Sequence, residues 1–373
     1  MRAATPLLVT LLLAGCALPG PDEAAPATPS GYVAMGFDGE TWPRLDGVTL
    51  TILDHGAFGA FDDAAALFEN RTGARVVHVE ADDAGSVLNR AIREKGDPTF
   101  DVLYGIDNIL WTRAVEEGIF EPYRPVLAER VDPSLVLDAE AWHATPVDHG
   151  YVGVNVDETK LGARVASLED LETLAAAFVT PDPRTSTPGL GYLLASLDTF
   201  AEDGWLHHWR KLFENGVLVT SGWTEAYEQH FSAGYGVDYG GAGDKAIVTS
   251  YTSSPAYEAF FGRPAERLAT PLVAPFSTFH QVETMGIAKG TGNLAAAQAW
   301  IEFTLTDEFQ RLMAPGNAVY PVVAGVSTDD TFGAHDPEPG SFEPARLAPE
   351  EIGAELERWL REWTDLCEAH DCI

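Results

Sequence analysis

Trp223 follows an apolar run at 217–219, Tyr251 ends another at 246–251, and Tyr257 lies six residues further on, past Ser254 and Pro255. Aromatic faces at strand ends stack on flat heterocycles and attract cations, each contact worth about 0.5–2 kcal/mol. Upstream, the hydroxyl-rich turn Asp182-Pro183-Arg184-Thr185-Ser186-Thr187-Pro188-Gly189-Leu190-Gly191 leads into apolar residues at Leu190, Leu193, Leu194, Leu197 and Phe200. Their spacing is helical, with Pro188 suited to the first helical position and Thr187 to the N-cap. A helix start presents unpaired N–H groups and a positive dipole end, so Ser186 and Thr187 surround either an anion seat or an ordinary capped helix. Ser254-Pro255 offers a second start of the same kind. His55, Asp83 and Asp107 follow three earlier apolar runs, as polar contacts for a ligand or as caps of the next helices.

The elements that must position these residues alternate between strand and helix. Val48, Leu50 and Ile52 alternate with Thr49 and Thr51, predicting a strand. A helix over 61–70 stopped by Gly73, a strand at 76–79, a helix through Val87, Leu88, Ala91 and Ile92 ending at Gly96, and a strand at 101–104 follow. Such alternation predicts a largely parallel sheet, with ligands held beyond the carboxyl ends of its strands. Residues 146–156 read as a crossing between two lobes. Beyond it come a helix opened by the Ser167-x-x-Asp170 capping pattern, a strand at 178–180, and two helices, the second carrying Trp205, Trp209, Leu212 and Phe213 as core. Strands at 271–275 and 281–288 are expected to return to the first lobe, followed by helices capped by Asn293 and Thr306. Ile352, Leu356, Trp359, Leu360 and Trp363 make one stripe of a closing amphipathic helix.

A chain of 373 residues is long enough for two domains. Its net charge of −34 would repel phosphate backbones, which excludes nucleic acid as a partner. Residues 1–16 have the character of an export signal, and Leu13-Ala14-Gly15-Cys16 resembles a lipobox in which Cys16 is lipidated. Residues 17–45, rich in Pro, Ala and acidic residues, read as a flexible tether. Membrane attachment is therefore expected through the lipid alone, on the outer face of the cytoplasmic membrane or in the periplasm. Cys367 and Cys372 either pair or remain free thiols. The chain has no Gly-x-Ser-x-Gly elbow, no His-Glu-x-x-His zinc helix and no phosphate-binding glycine motif, and His207-His208 falls on an apolar helix. The reading is of a non-enzyme without metal or cofactor.

Aromatic walls, a carboxylate such as Asp83 or Asp107, and hydroxyls such as Ser186, Thr187 and Ser254 together suit an aminopyrimidine, a cationic thiazolium and an alcohol open to phosphorylation. Thiamine combines all three. Pro183-Arg-Thr-Ser-Thr-Pro-Gly-Leu-Gly191, Gly222-Trp-Thr-Glu-Ala-Tyr227 and Ser250-Tyr-Thr-Ser-Ser-Pro-Ala-Tyr257 resemble the thiamine-binding proteins of ABC importers. Gly105-Ile-Asp-Asn108 and Ser86-Val-Leu-Asn-Arg90 support the likeness, which runs from about residue 48 to 366. The resemblance implies the α/β type II periplasmic-binding-protein fold, two α/β lobes with central mixed sheets joined by hinge crossovers. On that basis residues 46–147 plus 264–373 form lobe 1 and 148–263 lobe 2. It implies that Trp223, Tyr251 and Tyr257 enclose thiamine, thiamine monophosphate or thiamine diphosphate, that Ser186 faces the phosphate and that Asp83 sits in a ligand-facing loop. It further implies a monomer that delivers its ligand to a membrane permease and its ATPase. Two residues depart from the pattern: His55 stands where a tyrosine is common, and Ala318 where relatives can carry a tryptophan. The alternative is a type II binding protein for a ferric ion, a polyamine or an organophosphonate. Ferric sites commonly use adjacent tyrosines, whereas Tyr251 and Tyr257 are six apart.

Overall fold

A computed structural model of the protein describes residues 37–81, 83–234, 241–327, 330–335 and 342–372. The export signal, Cys16 and all but the last residues of the expected tether lie outside them. The strands are β1 (Thr49–Asp54), β2 (Arg75–Glu80), β3 (Val102–Asp107), β4 (Thr145–Val156), β5 (Phe178–Pro181), β6 (Leu218–Thr220), β7 (Ile247–Tyr251), β8 (Thr270–Leu272), β9 (Phe279–Ile287) and β10 (Tyr320–Pro321). The helices are α1 (Phe61–Thr72), α2 (Ala84–Glu94), α3 (Trp111–Glu116), α4 (Glu158–Leu161), α5 (Leu168–Leu174), α6 (Thr187–Glu214), α7 (Ser254–Phe260), α8 (Leu294–Thr304), α9 (Asp307–Asn317), α10 (Asp330–His335) and α11 (Pro349–Glu368).

The strands run as one sheet in the order β2-β1-β3-β9-β4-β7-β5-β6, with β8 and β10 also pairing with β4. The expectation of a largely parallel sheet holds only at its two ends. β1 is parallel to β2 and β3, and β5 to β6 and β7, but β9 and β4 run antiparallel through the middle. The alternation rule fails there because β4 and β9 are long crossings rather than members of strand-helix-strand units. One apolar cluster lies around α1, α8 and α9, with Phe68, Trp300 and Phe303 fully buried. A second gathers α5, α6 and α11, where Trp205, Trp209 and Trp363 are fully buried, and smaller clusters fill in around these two.

The helix capped by Ser167 has its capping box, and Gly73 ends α1 in the left-handed conformation at φ 81°. At α6 the N-cap is Ser186 rather than Thr187, and at α7 it is Ser253 rather than Ser254, because Pro188 and Pro255 each occupy the second helical position. Asn293 stands at the N-cap of α8 without a side-chain cap bond; its amide reaches Thr49 and Asp101 instead. The two helices expected between 187 and 214 form one element broken at Ala201, where φ is 55° and ψ 178°. A Cβ on Gly189 would lie 2.3 Å from the carbonyl oxygen of Pro181, and one on Gly191 2.8 Å from Val152. These glycines let α6 pack against β4 and the end of β5, which sets where its N-terminus points.

Cys367 and Cys372 form a disulfide at the end of α11, with Cys367 buried against the cluster around Trp209 and Trp363. The loop it closes is short, so chain entropy gives it only about 2 kcal/mol. Cys372→Ser is expected to lower stability by that amount in chemical denaturation at an unchanged m-value; a loss above about 4 kcal/mol would show that the bridge supports more than the helix end.

Candidate functional site

The C-terminal ends of β1, β2, β6 and β7 open onto one cleft of about 1120 Å³, closed on other sides by the start of α6, β9 and the end of α9. Eight of the nine candidate ligand residues line it: His55, Asp83, Ser186, Thr187, Trp223, Tyr251, Ser254 and Tyr257. Asp107 does not line the cleft. It is buried behind it, accepting from the backbone N–H groups of Ile109 and Leu110 in the turn that leads into α3, whose N-cap is Leu110. Asp107 thus closes a turn rather than capping a helix, and the capping reading of a strand-end aspartate applies to Asp83, whose Oδ1 accepts from Ser86 N at 2.6 Å at the start of α2 while its side chain stays at the cleft.

Trp223 is held on two sides. Its ring stacks on Tyr227 with centroids 5.0 Å apart and planes 13° from parallel, and its Nε1–H donates to Ser250 Oγ at 2.7 Å. Tyr227 in turn donates to Glu258 Oε1 at 2.6 Å. Burial pushes the Glu258 carboxyl up to about 7. Ser250 Oγ lies 2.8 Å from Ser254 Oγ. The turn ahead of α6 is tied to this wall, since Thr185 donates to the carbonyl of Ser221 at 2.7 Å and Asp182 N to that of Thr220 at 2.9 Å. Arg184 points away from the cleft, engaging Asp182 and lying over the ring of Trp363 at 5.4 Å.

The opposite wall is a buried polar network. His55 Nε2 lies 3.0 Å from Glu283 Oε1, and the imidazole tilts against Tyr104 at 5.1 Å. Burial alone would lower the pKa of His55, but the carboxylates around it, Glu283 first and then Asp54 and Asp107, together raise it, so the departure at position 55 brings an ionisable ring paired with Glu283 into the cleft. Glu283 is shifted the other way: burial favours its neutral form, and His55 more than offsets this. Tyr104 donates to Asp148 Oδ2 at 2.5 Å. Burial, then Glu283, pushes Asp107 up to about 7 and Asp148 well above the usual carboxylate range. Tyr251 donates to Gln281 Oε1 at 2.8 Å. Ala318, the second departure, ends α9 at φ 58° and lines the cleft, its carbonyl accepting from Ser253.

Gln281 and Glu283 were missed from sequence, although the signal was present. They flank Val282 two positions apart on β9, which puts two polar side chains on one face of a buried strand, in line with Met285 and Ile287. Among the described residues lining the cleft are the carboxylates Glu80, Asp83, Glu225, Glu228 and Glu283, and no lysine or arginine. Such a cleft favours a cation. No group of three or more potential metal ligands among His, Cys, Asp and Glu occurs in the described residues.

Two α/β halves joined through long central crossings, with a cleft beyond the strand ends, define a type II periplasmic-binding protein. The chain belongs to the bacterial extracellular solute-binding protein family, whose model matches residues 51–314. It is similar to the thiamine-binding periplasmic protein of Escherichia coli (strain K12), at 31% identity over 300 residues covering 79% of this chain and 85% of the relative. It is also similar to a solved periplasmic thiamin binding protein, with TM-score 0.70 and 28% identity over 85% of this chain and 96% of that one. A ferric binding protein from Campylobacter jejuni shares the fold, at TM-score 0.68 and 16% identity over 85% of this chain and 99% of the other. The protein is a periplasmic solute-binding protein.

Proposed function

We propose that the cleft captures thiamine, as the free vitamin or as its mono- or diphosphate, and that the protein hands it to an ABC permease driven by a cytoplasmic ATPase. The reading is carried by one observation: Trp223, Tyr251 and Tyr257 line the same cleft as the start of α6 and a set of carboxylates. Aromatic faces and carboxylates suit the flat, cationic rings, and Ser186, Thr187 and the N-terminus of α6 suit the hydroxyl or phosphate tail. The names of the relatives point the same way. In this account the protein acts as a monomer without enzymatic activity, tethered through lipid on Cys16. Residues 46–147 plus 264–373 and residues 148–263 form two lobes that close because the ligand contacts both. The closing helix α11 then spans the pair, since Thr112 of α3 bonds to its first residue while Trp363 packs in the core of α6.

A ferric site is disfavoured by chemistry. Such sites commonly use adjacent tyrosines, whereas Tyr227, Tyr251 and Tyr257, the tyrosines among the described residues lining the cleft, are not adjacent, and no group of three or more potential ligands among His, Cys, Asp and Glu occurs in the described residues. Titration calorimetry with thiamine, its two phosphates and spermidine tests the assignment. One of the thiamine forms is expected to bind one to one with Kd of about 1 μM or tighter, and spermidine not at all; binding of spermidine with silence from all three thiamine forms would overturn it.

A further inference from the structure

Asp107 sits one layer behind the cleft, and its hydrogen bonds impose a direction on those in front. Its Oδ1 accepts from Ile109 N at 3.0 Å and Leu110 N at 3.1 Å, and its Oδ2 accepts from Gln281 Nε2 at 3.2 Å. An ionised carboxylate only accepts, so the Gln281 amide must turn its NH2 toward Asp107 and its Oε1 away. That Oε1 accepts from the Tyr251 hydroxyl at 2.8 Å. With its proton committed to Gln281, the phenol oxygen has only lone pairs to offer the cleft, which Tyr251 and Gln281 both line. A second chain ends in the opposite sense. The Trp223 indole can only donate, so Ser250 Oγ accepts from it, and the proton of fully buried Ser250 is satisfied by donating to Ser254 Oγ. The Ser254 proton is thereby left for the cleft. One chain thus ends in an acceptor and the other in a donor.

We propose that Asp107 is a positioning residue which, through Gln281, makes Tyr251 the hydrogen-bond acceptor for the exocyclic amine of the bound aminopyrimidine. The proposal rests on the reading of the cleft as a thiamine site. The negative field of Glu283, and of Asp107 when ionised, at Tyr251 fits an amine there better than a phosphate. Oxythiamine, with an oxo group in place of the amine, would set acceptor against acceptor.

The test compares thiamine with oxythiamine by calorimetry at pH 8, above the value of about 7 at which Asp107 titrates. The protein is expected to prefer thiamine by about tenfold or more. In Asp107→Asn the new amide keeps its oxygen on the backbone N–H groups and presents NH2 to Gln281, which reverses and lets Tyr251 donate. The preference should then fall at least fivefold or invert. In Tyr251→Phe it should shrink to within about threefold. A preference unchanged in both variants would overturn the proposal. Gln281→Leu breaks the relay without altering Asp107 and serves if Asp107→Asn does not fold. A readout without ligand comes from the phenol C–O stretch of Tyr251 in the infrared, isolated by difference against Tyr251→Phe. It should move from a donor to an acceptor position in Asp107→Asn, and an unmoved band would contradict the relay. If the protein binds neither compound, the thiamine reading fails, while the infrared band still decides the relay.

Discussion

Trp223→Ala is expected to weaken thiamine binding about 30- to 100-fold, measured by calorimetry against a folded control. A buried aromatic anchor at the centre of a site typically costs about 2 kcal/mol or more on truncation, and stacking adds about 0.5–1.5 kcal/mol beyond the area covered. Here the ring is fixed before the ligand arrives, face-on to Tyr227 and hydrogen-bonded to Ser250, so little is spent ordering it on binding. Trp223→Phe separates these contributions. It keeps an aromatic face over Tyr227 but gives up the N–H bond, and should lose only about three- to tenfold. An alanine variant that binds as the parent does would remove Trp223 from the site.

Gly105→Ala is expected to cost about 3 kcal/mol or more of stability. Gly105 has φ 96° and lies where the register of β3 against β9 shifts between Tyr104 and Ile106, a position an L residue resists. Its Cβ would stand 1.9 Å from Cδ2 of His55. The ring would have to leave Glu283, uncovering a buried carboxylate, so thiamine affinity should fall with stability. The clash is separable from the backbone strain. His55→Ala introduced together with Gly105→Ala should recover more than 1 kcal/mol relative to the sum of the single changes, since the two positions touch. Additive losses would show that only the φ angle matters.

The sequence was most legible where pattern and chemistry coincide. The alternation at 48–52, the capping box at Ser167 and the stripe from Ile352 to Trp363 each fix an element from local residues, and the structure has all three. The aromatics at strand ends could be brought to one cleft because a strand end has few directions in which to deliver a side chain. What escaped depends on contacts distant in sequence. Asp107 reads the same whether it faces ligand or turns back onto the loop ahead of α3, and its place behind the cleft depends on β9, whose Gln281 reaches it from 174 residues later. The N-cap of α6 lies one residue earlier than expected, at Ser186 rather than Thr187, because a proline is accepted at either of the first helical positions. Nor does local pattern show why Gly189 and Gly191 are glycines, since their spacing answers to Pro181 and Val152 behind them.

The central claim is that aromatic rings and the start of α6 together hold a thiamine molecule in one cleft. A crystal structure of the protein grown with thiamine tests it most directly. The account predicts the rings of the ligand in stacking contact with Trp223 and at least one of Tyr251 and Tyr257, and its hydroxyl end at Ser186 and Thr187. Thiamine bound outside this cleft, or lying in it with Trp223 untouched, would contradict it.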